Sequence, residues 1–260
     1  LPDGSERAYD ETTSAAEVAA DIGPGLAKAA LGAKINGELA DLNHPITEDC
    51  DLAIVTAKTR EGELDPDALY LIRHSAAHVM AEAIQRLFPG VELVYGPPVE
   101  QGFYYDMAFP EGEPISSDDF ARIEEEMTKI IKEDRPFTRY DLAVGPGLEK
   151  LKSEGSKYKI DNAERAIEAG SSELSWYATG KPGENWEDLC RGPHVPSTGR
   201  IGASKVMNLA SSYWHGDEKS DRLTRVYGIA FPDKKQLKRH LQLLEEARKR
   251  DHRVLGKQLR

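Results

Sequence analysis

Cysteine is scarce in this chain, whose 260 residues include only Cys50 and Cys190. Two thiols cannot build the cross-linked framework that holds small secreted domains together, so the fold must rest on a buried core. In a reducing setting Cys190 is free to act as a ligand or a polar reactant. The length supplies surface enough for one large domain or two ordinary ones. Long apolar runs are also missing, since no stretch approaches the roughly 18 apolar residues that a membrane helix requires, and no membrane partner is expected. Leu1-Pro2-Asp3-Gly4 lacks the basic start and apolar run of a secretory signal, so a cytoplasmic setting is the simplest expectation. Aromatic residues make up 7% and hydrophobic residues 39%, the composition of an ordinary soluble globular protein. There is no Gly-x-x-x-x-Gly-Lys loop, so ATP use is not indicated. Internal repeats and low-complexity tracts are absent as well.

Positive charge is in short supply overall, with a net charge of -11. That balance argues against indiscriminate coating of nucleic acid, which needs an accessible basic surface. The average hides a division. Residues 234–260 hold ten Lys and Arg against three acids, or +7, which leaves -18 for the remainder. This end is the electrostatic candidate for RNA contact, with a solvated helix of mixed charge as the alternative.

Hydrophobic patterning divides the chain. In residues 1–58, Ser14-x-x-Glu17 is a capping box for a helix through Val18 and Ala19, and Gly23-Pro24-Gly25 interrupts it before Leu26 to Leu31. Strands are expected at 33–39, with an Asn36-Gly37 turn, and at 51–56. A mixed sheet with one packed helix, a ubiquitin-like β-grasp, accommodates these elements. Residues 59–66, charged and turn-rich, read as a linker. Residues 67–231 have α+β texture. A helix over 68–87 places Leu71, His74, Ala77, His78, Ala81, Ile84 and Leu87 on one inward face. Strands follow at 91–95 and 102–105, separated by Gly96-Pro97-Pro98. A second helix starts near Asp118 behind Ser116-x-x-Asp119, with Phe120, Ile123, Met127, Ile130 and Ile131 buried, and Pro136 ends it. Helical pattern returns at 148–169 and a strand at 176–179. From Pro232, Leu237, Leu241, Leu244, Arg248, Leu255 and Leu259 follow an approximate seven-residue rhythm, the mark of one long connecting helix over 232–260.

Two motifs carry the chemistry. His74-Ser75-Ala76-Ala77-His78 and Cys190-Arg191-Gly192-Pro193-His194 each set two ligating or proton-carrying side chains four positions apart, the spacing of one helical face. Either pair alone is more often packed or hydrogen-bonded than functional. Jointly, three imidazoles and a thiol make a tetrahedral zinc set. The metalloprotease reading fails, because no glutamate stands beside His74 as general base. A Cys/His nucleophile would need a depressed thiol pKa and an oxyanion hole, which spacing cannot reveal. Lys159 and Asp188 are further polar candidates, or plain surface charges.

The ordered set His74-x-x-x-His78, Gly102-Phe103-Tyr104-Tyr105-Asp106, Cys190-Arg191-Gly192-Pro193-His194, Tyr213-Trp214-x-Gly216-Asp217 and Arg225-Val226-Tyr227-Gly228 resembles the N-terminal half of the bacterial threonyl-tRNA synthetases. Arg250-Asp251-His252-Arg253-x-x-Gly256-Lys257-Gln258-Leu259 is similar to the end of that family's linker. The resemblance covers essentially the whole chain. It implies an α+β protein with a small TGS domain of β-grasp fold at 1–58, a larger editing domain at 67–231, and a linker helix at 232–260 leading to a catalytic core that lies outside this sequence. The activity it implies is hydrolysis of serine wrongly esterified to threonine tRNA. The partners it implies are that mischarged tRNA, the catalytic and anticodon-binding domains, and a second copy in a homodimeric parent.

Editing of this kind answers a physical limit. Serine lacks one methyl of threonine, and a missing methyl supplies only about 1–3 kcal/mol of discrimination, so a second site with the opposite steric rule is useful. The resemblance implies a catalytic set of His74, His78, Lys159, Cys190 and His194, with Tyr105, Asp188 and Gly96 at the substrate. Lys159 and His74 would position the terminal ribose hydroxyl and the attacking water. His194 and Cys190 would hold a second water or steer a proton to the leaving oxygen. Asp188 would meet the substrate ammonium or side-chain hydroxyl, and Tyr105 would reject the extra methyl. The family edits without a metal, so no cofactor is expected, with zinc on His74, His78, Cys190 and His194 as the alternative known from alanyl-type editors. His215 stands where the family pattern has arginine. Other readings are a non-catalytic tRNA-binding module with a structural zinc site, and a zinc-dependent free-standing deacylase.

Overall fold

The computed structural model describes residues 1–112 and 114–258, with side chains described through Arg250. Its N-terminal part begins with a short strand β1 (Thr13–Ser14), followed by helices α1 (Ala15–Ile22) and α2 (Pro24–Ala29). The Ser14 hydroxyl accepts the Glu17 N–H, the cap expected from the motif. Gly23 then separates two short helices, and the second ends sooner than its sequence suggests. Leu31 belongs instead to strand β2 (Ala30–Ile35), where β-sheet pairing overrides the helical neighbours. The Asn36-Gly37 turn joins β2 to β3 (Glu38–Ala40), and both turn residues have positive φ, 50° and 86°. Strand β4 (Pro45–Ile46) pairs with β1, and β5 (Leu52–Thr56) pairs with the other edge of β2. All these pairings are antiparallel, so the mixed sheet expected here does not form among the described residues.

Helix α3 (Pro66–Leu87) is the axis of the molecule. Asp65 caps it by accepting the Asp67 and Ala68 N–H groups, and Pro66 occupies a first-turn position that needs no donor. The helix is buried on more than the one face that its spacing suggests. Every residue from Leu71 to Ile84 is buried, which explains why Ala and Ser are so frequent along it: neighbours pack against all sides. Strands β6 (Glu92–Tyr95), β7 (Pro98–Val99) and β8 (Gly102–Ala108) follow, then helix α4 (Phe120–Glu133) behind a Ser116/Asp119 capping box. The second helical tract is broken by Gly155, with φ of 71°, into α5 (Val144–Glu154) and α6 (Lys157–Glu168), and is preceded by strand β9 (Phe137–Ala143).

Strands β10 (Glu173–Thr179) and β11 (Glu187–Leu189) complete an antiparallel sheet in the order β11-β10-β9. The long strands β12 (Ala203–Tyr213) and β13 (Arg222–Phe231) join a five-stranded sheet in the order β12-β13-β8-β6, with β7 also on β8. Helix α3 packs on β8 and β13 of this sheet and on α4. One core runs from Leu31 and Val55 of the N-terminal part through α3 to Ile123 and Met127 of α4 and Val226 of β13.

Helix α7 (Lys234–Gln258) leaves the body with its base against β12 and β13, where His240 tilts on Phe231 at 4.9 Å. Its apolar stripe emerges into solvent: Leu243 is 52% exposed and Leu244 43%. Part of its positive charge is matched within the helix, by Lys249 with Glu245 at 2.6 Å and Arg250 with Glu246 at 3.6 Å. Leu255 and Leu259, the last positions of the expected rhythm, fall outside the residues whose side chains are described. No described helix is long and apolar enough to cross a membrane.

Candidate active site

His74 and His78 project from successive turns of α3, while Cys190 and His194 come from the segment after β11. That segment is a loop and not a helical turn, as Gly192-Pro193 between the two side chains leads one to expect. Gly192, at a φ of 71°, turns the chain between Cys190 and His194, and both side chains reach the cluster. The four ligand atoms of His74, His78, Cys190 and His194 all lie within 4.8 Å of one another.

Hydrogen-bond partners assign the protons. His74 Nδ1 faces the Pro193 carbonyl at 3.1 Å, so it carries the hydrogen and Nε2 is bare. The Ser75 hydroxyl donates to the Leu71 carbonyl and accepts the Val195 N–H, which leaves it an acceptor toward His194 Nδ1 at 3.1 Å. His194 therefore also presents a bare Nε2. Both bare nitrogens point at Cys190 Sγ, at 3.3 and 3.4 Å, and one thiol hydrogen cannot satisfy both. His78 Nδ1 is buried without any partner. The cluster thus has unused acceptor capacity for a water, a substrate hydroxyl or a cation.

Aromatic rings enclose the imidazoles. His194 is stacked between His74, at 4.1 Å, and Phe137, at 4.8 Å, with the Tyr177 ring edge-on at 4.5 Å; Trp186 packs on His78 at 5.4 Å. Burial lowers the His74 pKa to about 4 and the His78 pKa to about 3, and holds His194 well below 6.5. Burial also pushes the Cys190 thiol up to about 12. All four groups are uncharged near neutrality.

Beside them sits a charged triangle. Lys159, on the first turn of α6, donates to Asp188 Oδ1 at 2.6 Å and to the Tyr105 hydroxyl at 2.9 Å, and that hydroxyl donates to Asp188 Oδ2. Asp188 lies on β11 and Tyr105 on β8, and all three residues are buried. Despite its burial, the Asp188 carboxyl stays below its usual range, because Lys159 and the Tyr105 hydroxyl favour the ionised form. His78 Nε2 is 3.9 Å from the same carboxylate. The Gly96 backbone lies flat on the Tyr105 ring: a Cβ there would come within 2.2 Å of Tyr105 Cδ2. One cavity of about 860 Å³ is lined by His74, His78, Gly96, Tyr105, Lys159, Asp188 and Cys190. His194, 1% exposed, is not among the residues that line this cavity and meets it through Cys190 and His74. Tyr70, Tyr95, Arg139, Arg165 and Arg191 ring the mouth.

Sequence reasoning passed over the supporting groups. Ser75 lay inside a recognised motif, yet only its contact with a loop 119 positions away gives it a role. Phe137, Tyr177 and Trp186 carried no signal beyond being apolar. His215, with a φ of 56°, stacks on Trp214 at 4.6 Å and meets Asp161 and Arg165 at 3.2 Å each, so it ties the turn before β13 to α6.

Known families share this organisation. Residues 1–56 match the TGS domain, and residues 177–227 match the threonyl and alanyl tRNA synthetase second additional domain. The chain therefore joins a TGS domain to an editing-type domain of the aminoacyl-tRNA synthetases. Along its whole length it is similar to the N-terminal region of bacterial threonine–tRNA ligases. It is 46% identical to the threonine–tRNA ligase of Erythrobacter litoralis over 264 residues, covering 100% of this chain and 38% of that protein. The enzymes of Marinobacter nauticus and Burkholderia multivorans are each 46% identical, again with 100% of this chain and with 38% and 39% of theirs. The chain thus spans well under half the length of these relatives.

Proposed function

We propose that this chain is the proofreading part of a threonine–tRNA ligase, hydrolysing the ester of seryl-tRNA for threonine and sparing threonyl-tRNA. The observation that carries this reading is the buried Lys159–Asp188–Tyr105 triangle sharing a cavity with uncharged imidazoles. A purely structural metal site has no use for it. The mouth offers the exposed rings of Tyr70 and Tyr95 to stacked bases and Arg191 to a phosphate of a tRNA end, while Arg139 and Arg165 are already paired with Asp141 and Asp161.

Water is the attacking group in this reading. A thiol whose pKa is pushed up to about 12, between histidines too weakly basic to ionise it, makes a poor covalent nucleophile. The bare Nε2 of His74 accepts a hydrogen bond from the ribose hydroxyl or from water. The Lys159 ammonium helps orient that water and offsets negative charge developing on the carbonyl oxygen. Cys190 and His194 then guide a proton toward the leaving ribose oxygen. Both oxygens of Asp188 already bind Lys159 or Tyr105, so a substrate hydroxyl joins them more readily than a second ammonium does. Tyr105, held by Gly96, forms the wall against the threonine methyl.

A second reading uses a cation, and the donor geometry favours it. A tetrahedral zinc site places N and S ligands about 3.3–3.6 Å apart, close to the His–Cys distances of 3.3 and 3.4 Å. His74 and His194 each tie their other nitrogen to an oxygen, as zinc-bound histidines do. His74, His78, Cys190 and His194 would hold the ion, which would supply Lewis acidity or a more acidic bound water.

The test is release of amino acid from seryl- and threonyl-tRNA for threonine, run with zinc added and with chelator. The expected result is faster loss of serine, indifferent to chelator, and a fall of about 100-fold or more in Lys159→Ala that stays folded by circular dichroism, its melting lowered by the unpaired Asp188. Equal hydrolysis of both esters, or an unimpaired Lys159→Ala, would sink the proofreading claim. Loss of activity on chelation, with one zinc per chain before it, would establish the metal-dependent form.

A further inference from the structure

The N-terminal unit reaches into the site. Asp41 follows β3, and its neighbour Leu42 is anchored in that unit's own core, where the Leu42 carbonyl accepts the Ala16 N–H. The Asp41 side chain points the other way. Its Oδ1 accepts the backbone N–H of His194 at 2.8 Å, and its Oδ2 accepts the Tyr177 hydroxyl at 2.5 Å. Tyr177 is the ring packed edge-on against His194, and its hydroxyl lies where a Cβ on Gly192 would be, 2.0 Å away. One carboxylate thus fixes the backbone of His194, the wall behind its ring, and the space that only glycine at 192 leaves open.

The junction is built rather than tethered. Lys34 pairs with Asp67 at 2.7 Å in the first turn of α3, the Arg200 guanidinium donates to the Ala30 carbonyl at 3.1 Å, and Gly32 leaves room for the Leu71 side chain. Among these contacts, Asp41 alone touches the His/Cys cluster.

We propose that Asp41 is a positioning residue supplied across the domain boundary, so that correct placement of His194 depends on this one carboxylate of the N-terminal unit. The TGS-type unit then serves the hydrolytic site directly, besides any contact with RNA. The rate consequence rests on the hydrolytic reading given above; the structural consequence does not. Without the carboxylate, the His194 N–H and the Tyr177 hydroxyl lose their partner, and the 190–194 turn is free to shift. Displacements of about 1 Å near reacting groups lower rates by as much as 100-fold.

The test compares Asp41→Ala, Asp41→Asn and Lys34→Ala in the full chain. Asparagine still accepts the His194 N–H and can donate to Tyr177, so it acts as the conservative rescue. Lys34→Ala weakens docking without touching the cluster. Two quantities are read: kcat and KM for serine release, and the imidazole nitrogen resonances of His194. Asp41→Ala is expected to lower kcat about 10- to 100-fold at near-constant KM and to shift the His194 resonances while those of His240 stay in place. Asp41→Asn is expected within about 3-fold of the parent rate, and Lys34→Ala at that rate. Unshifted His194 resonances in a folded Asp41→Ala, or equal slowing by Lys34→Ala, would overturn the proposal. If the parent chain releases no serine at all, the hydrolytic reading fails by itself, and the His194 resonances still decide the role of Asp41.

Discussion

Three histidines held uncharged give the site its character. Each would accept a proton in the unfolded chain near pH 6.5, whereas the folded chain resists until about pH 4 at His74 and about pH 3 at His78, with His194 also well below 6.5. The unfolded state therefore binds more protons throughout that window, so stability is greatest above pH 6.5 and declines as pH falls through it. For His74 alone, the span from 6.5 to about 4 corresponds to about 3 kcal/mol. Urea unfolding in the presence of a chelator should show a midpoint markedly lower at pH 5 than at pH 8. An unchanged midpoint would mean that the imidazoles are solvated. The identities of these residues were legible from their motifs, whereas Lys159, Asp188, Tyr105 and Gly96 were set beside them only by the family resemblance. Their protonation was not, because it depends on Phe137, Tyr177 and Trp186 arriving from other elements.

Helix α3 organises the elements around it through more than its apolar side chains. Glu82, 1% exposed, accepts hydrogen bonds from Arg86 at 2.7 Å, Arg135 at 2.6 Å and Thr179 Oγ1 at 2.7 Å. It clamps the helix to the α4–β9 junction and to β10, the strand that carries Tyr177. Replacing Glu82 by Ala leaves the buried end of this network unpaired, for an expected loss of about 3–5 kcal/mol. Glu82→Gln keeps the shape and part of the hydrogen bonding and should lose less. Thermal unfolding measures both, and a Glu82→Ala melting temperature within about 2 °C of the parent would contradict the clamp. The helix itself was evident in the sequence from its apolar spacing over 68–87, whereas Asp65 and Pro66, read there as the end of a linker, cap and open it. Its burial on every side was hidden, because small residues such as Ala76, Ala77 and Ala83 read the same way on a solvated face.

At the scale of the molecule, the N-terminal unit and the larger domain share a core. A Cβ on Gly32 would come within 2.5 Å of Leu71 Cδ1 and 3.1 Å of the Ala40 carbonyl, so Gly32→Val must push β2 away from α3. Overpacking of this kind costs about 1–3 kcal/mol. All three tryptophans, Trp176, Trp186 and Trp214, lie in the larger domain and report on it by fluorescence. The fluorescence transition is expected to move to lower denaturant in Gly32→Val and to coincide with cleavage within residues 59–66. A variant that loosens only the N-terminal unit, with the tryptophan transition unmoved, would show two independent bodies.

The sequence by itself determined which chemistry is available. Its two spaced motifs, the hydrophobic periods of α3 and α4, the Asn36-Gly37 hairpin and the Ser14 cap are local, and local geometry follows from residue type and spacing. Tertiary structure alone decided how Cys190 and His194 meet without a helix, which nitrogen of His74 is bare, and that Asp41 reaches His194 from 153 positions away. Those features depend on pairings between distant segments, such as Tyr177 opposite Asp188 in the β10–β11 ladder. Strand register and domain docking arise from the packing of whole surfaces, which no short window of sequence contains.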